Sequence, residues 1–228
     1  METPRVNTKD PGIPSDPAMP SKEMLAQVLI QRHTRPVYEA MQAACVGIAG
    51  LGGLGSNIAV MLTRLGIGRL ILADFDLVDL SNLNRQHYMI SHLGMEKTKA
   101  LAQQLYQINP YIDLTLYTKR VTAQNAVSIF KDCPIVCEAF DNAGAKAELV
   151  NTILENCPDK TIVAASGLAG YGSANDIKTR KVMKHFYLSG DNESGIEDGL
   201  CLMAPRAALC AAHQANMVLR LILNISEP

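Results

Sequence analysis

A glycine-rich turn between an apolar run and an amphipathic segment is the feature that most constrains this chain. The apolar residues 46–49 lead into Gly-Leu-Gly-Gly-Leu-Gly at 50–55, and a helical pattern covers 55–65. Glycine lets the backbone turn sharply and approach a phosphate, which the N–H groups and the dipole of the following helix attract. A Gly-x-Gly-x-x-Gly pattern is weak alone, but a strand before it and a helix after it indicate a nucleotide site. The glycines that we predict to line this site are Gly50, Gly52, Gly53 and Gly55.

Short apolar runs alternate with longer amphipathic segments along the rest of the chain. Strands are predicted at 46–49, 70–73, 114–118, 135–140 and 161–165, and helices at 55–65, 97–108, 123–130, 143–155 and 205–223. Such alternation is typical of a mainly parallel sheet with helices on both faces. Residues 171–189 break the rhythm and read as one or two strands without a helix between them. We therefore predict an α/β, Rossmann-like fold that is extended by antiparallel strands near its C-terminal part.

The first 20 residues differ in composition from the rest. They hold five of the eleven prolines and almost no large apolar residue, so nothing there can offset the entropy of ordering. We predict a disordered proline-rich tail at 1–20 and a single domain at 21–228. Ser21 is expected to cap a helix that leads to the segment Arg-His-Thr-Arg at 32–35.

Charge and hydropathy argue against two classes of partner. The 21 lysines and arginines balance 22 acidic residues, so there is no basic excess for nucleic acid or an anionic membrane. Apolar stretches stop well short of the roughly 20 residues that span a membrane, and no signal-type segment begins the chain. The six cysteines include no Cys-x-x-Cys pair, so we predict reduced thiols and no zinc site. We expect a cytoplasmic protein.

Polar residues that follow the predicted strands indicate which nucleotide is bound. Asp74 ends the second strand 21 residues beyond Gly53, where a carboxylate can accept ribose hydroxyl protons, and Asp76 follows it. Displacement at phosphorus needs cations and a metal-binding acid, whereas hydride transfer leaves such groups without a role. The pattern therefore favours ATP over a nicotinamide cofactor. The other polar residues expected at the carboxyl edge of the sheet are Ser81, Asn82, Asn84, Arg85, Gln86, Lys97, Asp141 and Asn142.

In this order and spacing, these motifs resemble the ThiF/MoeB/HesA family of proteins similar to ubiquitin-activating enzymes. The chain is most similar to ThiF-type adenylyltransferases of the sulfur carrier ThiS, from about Arg32 to the C-terminus. The resemblance implies a homodimer that uses ATP and Mg²⁺ to adenylylate the C-terminal glycine carboxylate of a small ubiquitin-like carrier ending in Gly-Gly, in thiamine (thiazole) biosynthesis. An identical ATP site would serve a molybdopterin-synthase carrier, a tRNA-base substituent or a small carboxylate. A nicotinamide-dependent oxidoreductase and a non-catalytic binding subunit also stay open.

The resemblance also implies roles for individual residues. Gly53 would contact the nucleotide and Asp74 the ribose, while residues 81–85 would lie against the base, sugar and phosphates. Asp141 would bind magnesium, with Asn142 beside it. In relatives an arginine of an Arg-x-x-Arg segment reaches the ATP of the partner subunit, and Arg35 is the first candidate here, before Arg32. The catalytic set implied in this way is Arg85, Lys97 and Arg35.

The chain departs from the family pattern in two places. The paired Cys-x-x-Cys zinc ligands are absent, and the loop at 190–199 has no cysteine where some relatives carry one that bonds covalently to the carrier or a sulfur donor. Cys201 is nearest, but it lies too close to Pro205 for that spacing, and we interpret it as a buried thiol. We therefore expect the chemistry to stop at the adenylate.

Overall fold

The computed structural model describes residues 19–195 and 199–228, and its strands and helices are numbered in chain order. The strands are β1 (Cys45–Ala49), β2 (Arg69–Ala73), β3 (Asp113–Tyr117), β4 (Ile135–Glu138), β5 (Thr161–Ala165), β6 (Lys178–Met183) and β7 (Phe186–Gly190). The helices are α1 (Lys22–His33), α2 (Arg35–Ala43), α3 (Gly55–Arg64), α4 (Lys97–Ile108), α5 (Ala126–Ile129), α6 (Ala143–Asn156) and α7 (Ala204–Ile222). The tail predicted at 1–20 lies outside the described residues except for its last two.

All seven strands form one sheet in the order β3-β2-β1-β4-β5-β7-β6. The pairings are parallel except for β6, which runs antiparallel to β7 at the edge. The chain leaves β1 in one direction for β2 and β3 and later fills the other side with β4 and β5. Ligands of open α/β sheets bind where the order reverses in this way. The predicted Rossmann-like fold with its antiparallel extension is confirmed.

Helices cover both faces of the sheet, which explains why its central strands are apolar throughout. One core packs α2, α3, α4 and α7 on the sheet and includes Met41, Ile58 and Leu101, each with no exposed surface. The second core packs α5 and α6 on the other face, around Ile129 and Ile153. Strands buried on both faces carry continuous apolar runs instead of alternation, as β1 and β2 do here.

Gln214, in the middle of α7, forms hydrogen bonds to two neighbouring strands of the sheet. It is fully buried, and its Nε2 donates to the carbonyl oxygens of Glu138 at 3.1 Å and Val163 at 3.0 Å. Both acceptors lie where β4 and β5 stop pairing, so this side chain joins the ends of the two strands. Helix α7 therefore stabilises the carboxyl ends of β4 and β5, where the proposed site lies.

Most element bounds agree with the prediction to within one residue, but β4, α5 and α2 differ more. Strand β4 ends two residues early at Glu138, because the N–H of Phe140 donates to the carboxylate of Glu138 and so cannot continue a ladder. Helix α5 is one turn only. Helix α2 was not predicted, and Thr34, with φ of 76°, separates it from α1. No described helix is both long and apolar enough to cross a membrane.

Candidate active site

A cleft of about 340 Å³ opens at the carboxyl ends of β1, β2, β4 and β5. It is lined partly by predicted residues and partly by residues that the sequence did not single out. The predicted residues that it brings together are Gly50, Gly52, Gly53, Asp74, Asp76, Arg85, Gln86, Lys97 and Asp141. The predicted residues that do not line it are Gly55, Ser81, Asn82, Asn84, Asn142 and Arg35.

The glycines of the turn have two different reasons to be glycine. Gly50 has φ of +89°, and a Cβ there would lie 2.8 Å from the carbonyl oxygen of Ala139. A Cβ on Gly55 would lie 1.8 Å from the oxygen of Gly50, so these two glycines are required by packing. A Cβ on Gly52 would lie 3.8 Å from the side chain of Gln86, and one on Gly53 would lie 3.4 Å from that of Arg85, so neither would clash with backbone. The N–H groups of these two glycines donate no hydrogen bond within the described part of the chain. These two N–H groups, at the start of α3, are the donors available to an anion.

Asp74 holds the turn in shape. Its Oδ2 accepts from the N–H of Leu51 at 2.6 Å and its Oδ1 from the N–H of Asp76 at 2.8 Å. Burial raises the pKa of Asp74, opposed by the Asp76 N–H and by Lys97. Each carboxylate oxygen can accept a second hydrogen bond, so contact with a ribose hydroxyl stays a prediction that this geometry permits.

Of the cations that line the cleft, the two that the sequence predicted, Lys97 and Arg85, have different partners. Lys97 is buried, and its Nζ pairs with Asp76. Arg85 donates from Nη1 to the carbonyl oxygen of Ser81 at 3.1 Å and to Oδ1 of Asn84 at 2.8 Å. It forms no ion pair with any described residue. Ser81 and Asn84 therefore orient Arg85. Asn82 has a different partner: its Oδ1 accepts from the N–H of Asp79 at 3.0 Å.

Asp141 is exposed in the cleft and pairs with no cation in the described ranges. Its neighbour Asn142 caps α6, because its Oδ1 accepts from the N–H of Ala145 at 2.9 Å. Within the described residues no group of three or more His, Cys, Asp or Glu could hold a metal by itself. Magnesium is usually held by one or two carboxylates together with substrate phosphates. One acid, Asp141, in the same cleft as the N–H groups of Gly52 and Gly53 fits that arrangement.

Arg35 and Cys201 lie away from the cleft lining. Arg35 begins α2, and its Nη1 is 3.6 Å from a carboxylate oxygen of Glu39 on the surface. In this chain alone it does not reach the site, so a role there requires a second subunit. Cys201 is exposed, which corrects the expectation of a buried thiol. The reason is its place in the irregular segment before α7, where its carbonyl, and not its side chain, is engaged by the N–H of Gly170.

Sequence reasoning missed part of the lining of the cleft. Residues 166–169 and 192–195 line it, as do Phe75, Lys119 and Lys146. Asp191 supports the second of these segments: its Oδ1 accepts from the N–H groups of Glu193 and Ser194, both at 2.9 Å. Its carboxylate also pairs with the buried guanidinium of Arg206 at the start of α7. No local pattern marks such residues, because the contacts join segments that are distant in sequence.

Glu138 and Lys146 form a second pair that the sequence did not indicate. Glu138 ends β4 with 1% of its surface exposed, and Lys146 Nζ lies 2.8 Å from its Oε2. Burial raises the pKa of Glu138 above its ordinary value, although Lys146 and the Phe140 N–H oppose the rise. The acid at the end of this strand was a possible signal, but it reads equally well as an ordinary strand-end residue.

This fold, with backbone donors, cations and carboxylates around a cleft at its switch point, is of the Rossmann-like class, in which such a cleft is the usual place of a bound nucleotide. The chain belongs to the ThiF family, which its sequence matches over residues 24–228. The family resemblance of the motifs is thereby confirmed.

Similar proteins have related names. The chain is 31% identical to ubiquitin-like modifier-activating enzyme 5 of Arabidopsis thaliana over 79% of this chain and 40% of that protein. It is 30% identical to the adenylyltransferase and sulfurtransferase UBA4 of Candida glabrata over 81% of this chain and 44% of that protein. The chain thus spans less than half the length of these relatives.

The fold is also that of a solved structure. E. coli tRNA N6-threonylcarbamoyladenosine dehydratase, TcdA, in complex with ATP superposes with a TM-score of 0.81 over 90% of this chain and 96% of that chain. The two sequences are 20% identical, so this likeness describes the fold alone.

Proposed function

We propose that the chain uses ATP to adenylylate the C-terminal glycine carboxylate of a small ubiquitin-like sulfur-carrier protein of the ThiS kind. The observation that carries the proposal is that one cleft brings together Gly52 and Gly53, whose N–H groups have no partner among the described residues, the cation Arg85 and the acid Asp141. The names of the relatives, an activating enzyme for ubiquitin-like modifiers and an adenylyltransferase with sulfurtransferase activity, support an acyl-adenylate chemistry.

The proposed step is a displacement at the α-phosphorus of ATP. A carboxylate oxygen of the carrier forms the new O–P bond, and the bond from the α-phosphorus to the bridging oxygen breaks, so that pyrophosphate leaves with the electron pair. A carboxylate is already a nucleophile, so no general base is required. Rate acceleration must then come from positioning and from neutralising phosphate charge.

The residues of the chain divide this work by their position. Gly52 and Gly53 would bind phosphate oxygens through their N–H groups, and Asp74 would hold the ribose. Arg85 and Lys97 would neutralise charge on the phosphates. Asp141 would hold Mg²⁺, which supplies a further positive charge to the phosphate oxygens. Arg35 would act from the second subunit of a homodimer.

Exchange of radiolabelled pyrophosphate into ATP tests the proposal. We expect exchange by the purified protein only when a carrier ending in Gly-Gly is present, and none with the same carrier lacking its last two residues. Exchange with a molybdopterin-synthase carrier but not with ThiS would assign the protein to the pathway of that carrier and not to thiamine biosynthesis. Exchange with a small carboxylate or a modified tRNA alone would favour a relative like TcdA, and absence of ATP binding would overturn the class of activity.

A further inference from the structure

The Glu138–Lys146 ion pair joins a residue that lines the cleft, Lys146, to a buried carboxylate, Glu138. Lys146 Nζ is 3.1 Å from Oε1 and 2.8 Å from Oε2 of Glu138. The exposed fraction is 1% for the side chain of Glu138 and 23% for that of Lys146. Removing the charge of Lys146 would leave the carboxylate of Glu138 buried without a cationic partner, which is strongly unfavourable. The two side chains therefore hold their elements, the end of β4 and the first turns of α6, in fixed relation.

Lys146 also joins two strands that separate at this point. Strands β4 and β5 pair only as far as Cys137 with Val163, while β4 continues along β1 to Glu138. The Nζ of Lys146 donates to the carbonyl oxygen of Ala165, the last residue of β5, at 3.1 Å. One ammonium group thus bridges the gap in which the cleft opens. Its three hydrogens match three acceptors, so it keeps no donor for a ligand.

Glu138 in turn orients the residues that carry Asp141. Its Oε1 accepts from the N–H of Phe140 at 2.6 Å, which fixes the turn directly before Asp141. The residue between, Ala139, packs its carbonyl oxygen against Gly50 of the glycine turn. A shift of Glu138 would therefore move both Asp141, the acid proposed to hold magnesium, and the backbone of Ala139 beside the glycine turn.

We propose that the Glu138–Lys146 pair positions Asp141 to meet the metal of the bound nucleotide. Lys146 is a positioning residue in this role, because it acts through Glu138 and Ala165 and not by touching the nucleotide. The identity of the metal-bound nucleotide rests on the proposed function. The fixed relation between β4, β5 and α6 does not.

The variant Lys146→Met tests this role against a matched control. Lys160 also donates its Nζ to two backbone oxygens, those of Lys131 and Cys133, each at 2.8 Å, but it does not line the cleft. Calorimetry would measure ATP affinity with Mg²⁺ and with EDTA, and hydrogen exchange would follow residues 139–146. We expect Lys146→Met to reduce the gain in ATP affinity due to Mg²⁺ by about 10-fold, as loss of a residue supporting a metal ligand does. Affinity in EDTA should change by less than about 2-fold, and exchange should accelerate. Lys160→Met should change none of these.

Two results would overturn the proposal. One is a Lys146→Met protein that matches Lys160→Met in metal-dependent affinity and exchange, and the other is an equal loss of affinity with and without Mg²⁺, because Lys146 would then contact the nucleotide. If Lys146→Met does not fold, Lys146→Arg must retain the metal-dependent gain, and the double variant Glu138→Gln with Lys146→Met must fold yet lose it. Wild-type protein whose ATP affinity ignores Mg²⁺ would instead contradict the proposed function, while the exchange measurement would still test the pair.

Discussion

The Nζ atom of Lys97 lies 2.8 Å from Oδ2 of Asp76, and the side chain of Lys97 is only 7% exposed. A cation paired with a carboxylate contributes little net charge to the attraction of a triphosphate, whereas Arg85 has no acidic partner in the described part of the chain. The family resemblance implies a catalytic role for both Lys97 and Arg85, but the two side chains have different surroundings in the structure. Under the proposed function, Lys97 would be a fixed donor beside the reacting phosphates, which favours a role in the transition state.

Replacing Lys97 should therefore affect turnover more than binding. We expect Lys97→Met to lower the rate of carrier-dependent pyrophosphate exchange by about 100-fold, the usual effect of losing one transition-state donor. The Kd for ATP should change by less than about 5-fold. Lys99→Met is the control, because Lys99 is 64% exposed and pairs on the surface with Glu96. Equal losses in rate and affinity would show that Lys97 binds the ground state and transition state alike.

Asp141 should account for the dependence of ATP binding on metal. Asp141→Asn keeps the size of the side chain but removes the charge that a hard cation prefers. We expect about a 10-fold weaker response of ATP affinity to Mg²⁺, measured by calorimetry, with affinity in EDTA preserved. Asp159→Asn serves for comparison, since Asp159 is an exposed acid outside the cleft. An unchanged response in the Asp141 variant would remove this residue from the metal site.

Alanine substitutions at two glycines with positive φ distinguish the cost of backbone strain from the cost of a steric clash. Nothing lies within 4 Å of a Cβ placed on Gly94, which has φ of +80°, so Gly94→Ala should lose only about 1–2 kcal/mol of unfolding free energy. Gly50→Ala adds a clash with the backbone of Ala139 and should lose more, together with ATP binding. Urea denaturation measures both losses. Similar losses for the two variants would mean that the end of β4 yields easily to the added methyl group.

The Asp191–Arg206 pair should stabilise the fold in a pH-dependent way. Burial raises the pKa of Asp191, but the N–H groups of Glu193 and Ser194 and the Arg206 guanidinium outweigh it and hold that pKa below its ordinary value of 3.8. A lowered folded-state pKa contributes stability above the unfolded pKa and loses it as pH falls through the folded pKa. Asp191→Asn should therefore cost about 3 kcal/mol at neutral pH, because Arg206 is left buried and unpaired.

The pH series of urea denaturation checks that sign. The difference between wild type and Asp191→Asn should stay constant from neutral pH to about pH 5 and shrink below about pH 4. Asp113→Asn is the control: Asp113 is 65% exposed in its pair with Arg69, so its loss should stay below about 1 kcal/mol. A difference that grows on acidification would contradict the assigned direction of the pKa.

Mixing of two inactive variants tests whether Arg35 acts across a dimer. If it does, a mixed dimer of Arg35→Ala and Lys97→Met subunits has one site with both groups intact. Equal mixing after exchange of subunits should then restore about a quarter of wild-type activity. Arg32→Ala in place of Arg35→Ala should remain active alone. Failure of the mixture to recover activity would place Arg35 in its own subunit's site or outside catalysis.

The glycine turn, Asp74 and the α/β alternation were predictable because their signals are local. A strand pattern, glycines and a helix pattern follow one another within 46–65, and Asp74 directly follows the next strand. Lys146 was not predictable, since its meaning comes from Glu138 and Ala165, which meet only in the folded sheet. Arg206 likewise looks like any first-turn residue of a helix until Asp191 folds against it.

The missed bounds have similar causes. Residues 139 and 140 are apolar and extend the pattern of β4, yet the side chain of Glu138 captures the N–H that a ladder would need. The turn at Thr34, with its positive φ, divides α1 from α2 at a residue type that rarely adopts that conformation. In these two places a single hydrogen bond from backbone to side chain, or a single dihedral angle, overrides the periodicity of the sequence.

Helix α7 has a consequence for the order in which the molecule is assembled during synthesis. The two bonds of Gln214 close over 76 and 51 residues of chain, so β4 and β5 wait for their last partners until α7 has left the ribosome. Contacts of such long separation form late and slowly. A nascent chain halted before residue 214 should therefore be more sensitive to protease at 135–165 than one released at full length.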